Sequence, residues 1–190
     1  MRAVLCGANG AMGKLIDAIL GDEVVGRVSI DGENGASKTF AGLGPVEADV
    51  VIDFSHHSAV ADVLSFAEKT GAAAVIGTTG HTEEEKAMIF DAAARIPVFY
   101  SGNMSLGIAL LCSLTRQAVA LFPEADVEIV EVHHNRKVDA PSGTAKMLFE
   151  AVKSVRPNAY EHDGRSGECK RTRDEVGIFS LRMGNVVGIH

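Results

Sequence analysis

Between positions 131 and 145 the chain reads EVHHNRKVDAPSGTA: two adjacent imidazoles, a guanidinium and an ammonium, set just ahead of a Pro-Ser-Gly-Thr helix start. Cations this close together attract carboxylates, and the unpaired N–H groups of a helix N-terminus bind them without adding charge. A histidine in that company is suited to passing a proton near neutral pH. The segment has the makings of a site for an anion that must be protonated.

A second constellation lies near the start of the chain. GANGAMG at residues 7–13 places Gly7, Gly10 and Gly13 three apart, between a short apolar run and a helical pattern. Glycines in that position allow a tight turn and bring a pyrophosphate close to a helix N-terminus, where the dipole favours negative charge. The next apolar run, residues 24–30, should end in an acid that reads the adenosine ribose, and Asp31 stands there with Gly32 after it. A carboxylate without an adjoining arginine leans toward NADH over NADPH, with Lys38 or Arg27 as the groups that could serve a 2′-phosphate instead. The plainer reading of Asp31-Gly32 is a turn. GTTG at residues 77–80 follows another apolar run, and its glycines would let backbone lie against a flat nicotinamide ring.

The elements that must carry these loops follow from periodicity. Apolar runs at residues 3–6, 24–30, 50–54, 73–76 and 98–100 read as strands, and helical spacing fills residues 12–20, 58–69 and 82–95. Fully apolar strands alternating with helices predict a parallel sheet covered on both faces, with ligands at the carboxyl ends of its strands. Thr82 to Glu85 reads as a capping box. His56, His57 and His81 read as surface residues at helix starts, and His162 as solvated. Beyond residue 105 the pattern changes to a helix at 106–122, a strand at 127–132, a helix at 144–155 and strands at 177–182 and 186–189. The polar stretch 157–174 between them reads as a mobile excursion, and Met104, Leu106, Leu110, Leu111 and Leu114 as helix core. The expected class is α/β: a dinucleotide-binding domain at 1–105 and an α+β substrate and oligomerisation domain at 106–190.

Bulk properties narrow the partners. A net charge of −7 over 190 residues argues against nucleic acid, and no apolar run is long enough to span a membrane. With no signal-peptide pattern after Met1-Arg2, the chain is expected in the cytoplasm. Cys6, Cys112 and Cys169 are scattered and lack CxxC spacing, which suggests neither a disulfide framework nor a metal site, and Cys6 reads as a packed thiol.

The segment at 131–145 resembles the signature of the 4-hydroxy-tetrahydrodipicolinate reductase (dihydrodipicolinate reductase) family of bacterial lysine biosynthesis. GANGAMG, VIDFS at 51–55, GTTG, NMSLG at 103–107 and GIFSLRMGNVVG at 177–188 follow in the family's order, so the resemblance covers essentially the whole chain. It implies a Rossmann-like N-terminal domain, NADH or NADPH as hydride donor, a small dicarboxylate substrate and a homotetramer built on the C-terminal sheet. By position it implies His133 as general acid or base and Lys137 as proton donor. His134, Gly143 and Thr144 would hold the substrate's carboxylates. The cofactor would lie against Gly7, Ala8, Asn9, Gly10, Ala11, Met12, Asp31, Gly77, Thr78, Thr79, Gly102, Asn103, Met104 and Ser105. Ala11 replaces the basic residue usual in the family's glycine loop, with Lys14 a candidate substitute, and Phe179, Met183 and Ile189 also depart from the pattern. Family members run on past the tripeptide that is Gly188 to His190 here, so the second domain is expected to be incomplete. Two other readings keep part of the pattern: another Rossmann reductase of a small carboxylate, or a non-catalytic dinucleotide-binding paralogue.

Overall fold

A computed structural model describes all residues, 1–190, and divides them into two compact units, 1–102 and 103–190.

The first unit holds five strands, β1 (Ala3–Cys6), β2 (Val24–Val28), β3 (Val50–Asp53), β4 (Ala73–Ile76) and β5 (Val98–Tyr100), with helices α1 (Ala11–Leu20), α2 (Val60–Thr70) and α3 (Glu83–Ala92). All pairings are parallel and the order is β2-β1-β3-β4-β5. All four residues of β1 are buried, as expected of a central strand covered on both faces. Val4, Val51, Ala74 and Ile76 pack against Val60, Val63, Leu64 and Ala67 of α2, while Leu5 and Val24 pack with Ile16 and Leu20 of α1 on the other side. The chain leaves β1 toward β2 and returns across it to β3. Strand order therefore reverses between β1 and β3, where sheets of this kind open a crevice.

The second strand is shorter than its sequence suggests. It stops at Val28, because Ser29 N–H turns to the Ser37 carbonyl and Gly32 N–H folds back on Ser29, leaving Ile30 93% exposed. The capping box at α3 forms as expected, Thr82 accepting from Glu85 N–H and Glu85 accepting from Thr82 N–H. His81 is not a surface residue. It is buried, its ring edge-on to Tyr100, while His57 pairs with Glu85.

The second unit is a three-stranded parallel sheet, β6 (Val127–His133), β7 (Tyr160–Asp163) and β8 (Glu175–Arg182) in the order β6-β8-β7, with α4 (Leu106–Leu121) and α5 (Gly143–Lys153). Ile129, Val176 and Ile178 pack against Ala145, Leu148, Phe149 and Val152 of α5 and Cys112 and Val119 of α4. Three expectations are corrected here. The stretch 157–174 is not a free excursion: it contains β7, and Arg165 and Arg171 anchor its far end on Glu175 and Glu128. Its four-residue strand, Tyr-Glu-His-Asp, sits at the sheet edge and needs no apolar run. Residues 186–189 form no strand; Ile189 alone makes an antiparallel bridge to Val132. On α4 the buried face carries Cys112 and Val119, which turns Leu106, Leu110 and Leu114 outward.

Candidate active site

In the first unit the glycine loop closes as its spacing demands. Gly7 adopts φ +81°, and a Cβ there would meet the Phe54 carbonyl at 2.2 Å. A Cβ at Gly13 would lie 2.1 Å from the Gly7 carbonyl, so α1 packs directly on the turn. Gly10 is the N-cap of α1. It offers no side-chain cap, and no acid sits in the first turn. The first N–H groups of α1, from Ala11 and Met12 onward, thus keep their hydrogens for an outside acceptor. Asp31 is exposed, and its Oδ1 accepts from Asn9 Nδ2 at 2.6 Å and from Glu33 N–H at 3.1 Å. The Asn9 amide, then the Glu33 N–H, hold its carboxyl below the usual range. Ala8 N–H is spent on the Val28 carbonyl.

In the GTTG loop the Phe54 ring lies against Gly77, 2.3 Å from where a Cβ would stand. Thr78 is buried and accepts from Ser55 N–H at 2.8 Å, which ties the ends of β3 and β4 together. A methyl group of Thr79 lies 3.1 Å from where a Cβ on Gly102 would be. Beneath these loops Asp53 is buried, one oxygen taken by the Ser55 hydroxyl and the other unpartnered.

In the second unit the cationic segment is the turn from β6 into α5. His133 ends the strand, with its Nδ1 on the carboxylate of Glu131, a fully buried residue. Burial alone would raise the Glu131 pKa. Arg182, the Ser180 hydroxyl, His133 and the Ser142 N–H outweigh it and bring it to about 2. Lys137 Nζ donates to both oxygens of Asp139, at 2.7 and 2.9 Å. Against the opposing effect of burial, that ammonium holds the Asp139 carboxyl below its ordinary range. His134 is half-buried with no partner on its Nδ1.

At the start of α5 the Ser142 hydroxyl caps Ala145 N–H at 3.1 Å. That leaves the amides of Gly143 and Thr144, the first two of the helix, without an intrahelical acceptor. Nothing stands within 4 Å of where a Gly143 side chain would be. Asn103 Nδ2 donates to Thr144 Oγ1 at 2.8 Å, and its Oδ1 accepts from Ser105 N–H. Ser105 caps α4, so these two side chains and Thr144 are joined within the second unit. Met104 lies between them, partly exposed.

Two family models match, "Dihydrodipicolinate reductase, N-terminus" over residues 1–104 and "Dihydrodipicolinate reductase, C-terminus" over residues 107–190. The chain belongs to the dihydrodipicolinate reductase family. It is 40% identical over 196 residues to the 4-hydroxy-tetrahydrodipicolinate reductase of Alkaliphilus oremlandii, covering 100% of this chain and 78% of that one. To the enzyme of the same name from Campylobacter jejuni it is 40% identical over 192 residues, covering 97% of this chain and 76% of that one. A solved structure of dipicolinate-bound dihydrodipicolinate reductase from Paenisporosarcina sp. TG-14 superposes with a TM-score of 0.68 at 25% identity, covering 99% of this chain and 80% of that one.

Dihydrodipicolinate reductases use a nicotinamide dinucleotide, and the residues of the first unit fit one. The uncapped α1 start suits a pyrophosphate, and the exposed Asp31 carboxylate beside Asn9 suits ribose hydroxyls. Three further residues belong to the second site and were not singled out from sequence: Glu131, Arg182 and His190. The signal for the first was present, since Glu131 and His133 are two apart on a strand and so share a face. Arg182 and His190 are about fifty residues distant, and only the fold brings them in. Ligand atoms of Glu131, His133 and His190 lie within 4.8 Å of one another, but the Arg182 guanidinium already neutralises that carboxylate.

Proposed function

We propose that the chain reduces 4-hydroxy-tetrahydrodipicolinate to tetrahydrodipicolinate, in the diaminopimelate route to lysine, with NADH preferred to NADPH. The dinucleotide supplies the hydride when bound. The unit at 1–102 takes it through Gly7 to Met12, Asp31, Gly77 to Thr79 and Gly102. In the second unit Asn103 and Ser105 set the start of α4 and the Thr144 side chain.

The unit at 103–190 handles the substrate and its proton. Gly143 and Thr144 amides grasp one carboxylate at the helix N-terminus, and His134 serves the other. Lys137, poised on Asp139, delivers a proton to the atom that becomes electron-rich as hydride arrives, and His133 serves as the acid–base group. The observation that carries this reading is one helix start. Its first two amides are left open by a cap that takes the third, directly after a strand ending in a carboxylate-held imidazole. The protein is read as cytoplasmic, and as a homotetramer assembled through the outer sheet face that exposes Val130 and Leu181; light scattering tests the latter.

The deciding experiment separates cofactor from chemistry. NADH and NADPH are titrated separately in the presence of pyridine-2,6-dicarboxylate, and a ternary complex is expected with both, tighter with NADH. Lys137→Ala should lose about a hundredfold in turnover with cofactor affinity unchanged. No ternary complex with either cofactor, or equal losses in turnover and cofactor affinity, would overturn the assignment.

A further inference from the structure

Glu131 is fully buried, a costly place for a carboxylate, and the chemistry above gives it no task. Its surroundings are specific. One oxygen accepts from Arg182 Nη2 at 2.9 Å and from Ser142 N–H at 3.1 Å; the other accepts from Arg182 Nη1 at 3.0 Å and from His133 Nδ1. An ionised carboxylate has no hydrogen to give, so Nδ1 must carry the proton in that last bond. The exchangeable nitrogen of His133 is then Nε2. The backbone of Gly188 runs past that atom, and a Cβ there would lie 3.0 Å from it.

We propose that Glu131 is the positioning residue of the reduction: it fixes the tautomer and orientation of His133, with Arg182 and the Ser142 amide anchoring it and Gly188 leaving Nε2 open. The inference rests on His133 being the acid–base group. Arg182 and Glu131 alone would neutralise each other, so the third bond, to His133, is what gives the pair a use beyond packing. Other charged groups bear on the imidazole. His190 stands edge-on, ring centroids 5.1 Å apart, and Lys137 lies in the following loop. Burial and the neighbouring His133 push the His190 pKa down, so it adds little positive charge.

The test uses ¹⁵N-histidine NMR of the full chain together with steady-state kinetics. Glu131→Gln should shift the His133 proton away from Nδ1 and lower kcat about 100-fold, with KM for substrate and affinity for NADH changed less than about twofold. Glu131→Asp, which keeps the charge, should recover part of the loss. If Glu131→Gln alone fails to fold because Arg182 is left unpaired, Glu131→Gln with Arg182→Gln removes both charges and should show the same tautomer shift and kcat loss. Gly188→Ala should lower kcat about tenfold with Nδ1 still protonated. An unchanged tautomer in the Gln variants, or a loss confined to KM, overturns the proposal. A shifted tautomer with full turnover also overturns it, and places the fault in the assignment of His133 rather than in the hydrogen bond.

Discussion

Acid should loosen the second unit through one carboxylate. Glu131 has its pKa brought from the ordinary 4.5 to about 2, its bonds to Arg182, Ser180, His133 and Ser142 outweighing the opposing effect of burial. A depressed acid contributes stability that is full above pH 4.5 and is lost as pH falls toward its folded pKa, because the unfolded chain takes up the proton first. The gap between 4.5 and about 2 corresponds to about 3 kcal/mol. Glu131→Gln should therefore be less stable than the parent by about that amount at pH 7, and the difference should shrink toward zero as pH approaches 2. The chain has two tyrosines and no tryptophan, so in a Tyr100→Phe background the fluorescence of Tyr160, on β7, follows the second unit alone. Urea titrations at several values between pH 7 and 2.5 give the two curves. A difference that stays constant with pH would show that the carboxylate acts through shape and not charge. No difference at pH 7 would show that desolvation cancels its bonds altogether, and the reasoning would fail.

Three further outcomes are expected. Gly13→Ala puts a Cβ 2.1 Å from the Gly7 carbonyl, so it should destabilise the first unit by about 1–3 kcal/mol and weaken NADH binding, measured by thermal shift and fluorescence titration. Asp31→Asn removes the charge proposed to read the ribose and should move the kcat/KM ratio about tenfold toward NADPH. Burial pushes the Cys6 thiol up to about 12, helped by the Asp53 charge, so maleimide at pH 8 should label exposed Cys169 in the native protein and spare Cys6 until it unfolds.

Much of this molecule was readable before folding. The five parallel strands of the first unit are short apolar runs that can satisfy themselves only by burial on both faces, and the helices between them carry their own caps, as Thr82 and Glu85 illustrate. What escaped was held by distant partners. β7 is polar and exists because β8 offers it a ladder. Residues 186–189 look like a strand but contribute one bridge. His81 reads as a helix-start polar residue until Tyr100 packs over it. At the site, the segment 131–145 announced an anion and a proton, whereas the roles of Arg182 and His190 depend on contacts across some fifty residues of chain that no local pattern encodes.

The parallel register of β6 and β8 pairs Ile129 with Ile178, Glu131 with Ser180 and His133 with Arg182. Along one sheet face the same two strands thus change from core to reactive group within two residues. The proposed acid–base imidazole and its carboxylate anchor belong to the ladder, and the amides proposed to hold the anion belong to the start of α5. The two can be altered separately. A variant that exchanges Gly143 and Thr144 and keeps both strands and Lys137 should change which anion is accepted while retaining the imidazole's tautomer, which makes this helix start the place to begin re-targeting the enzyme to other cyclic imines.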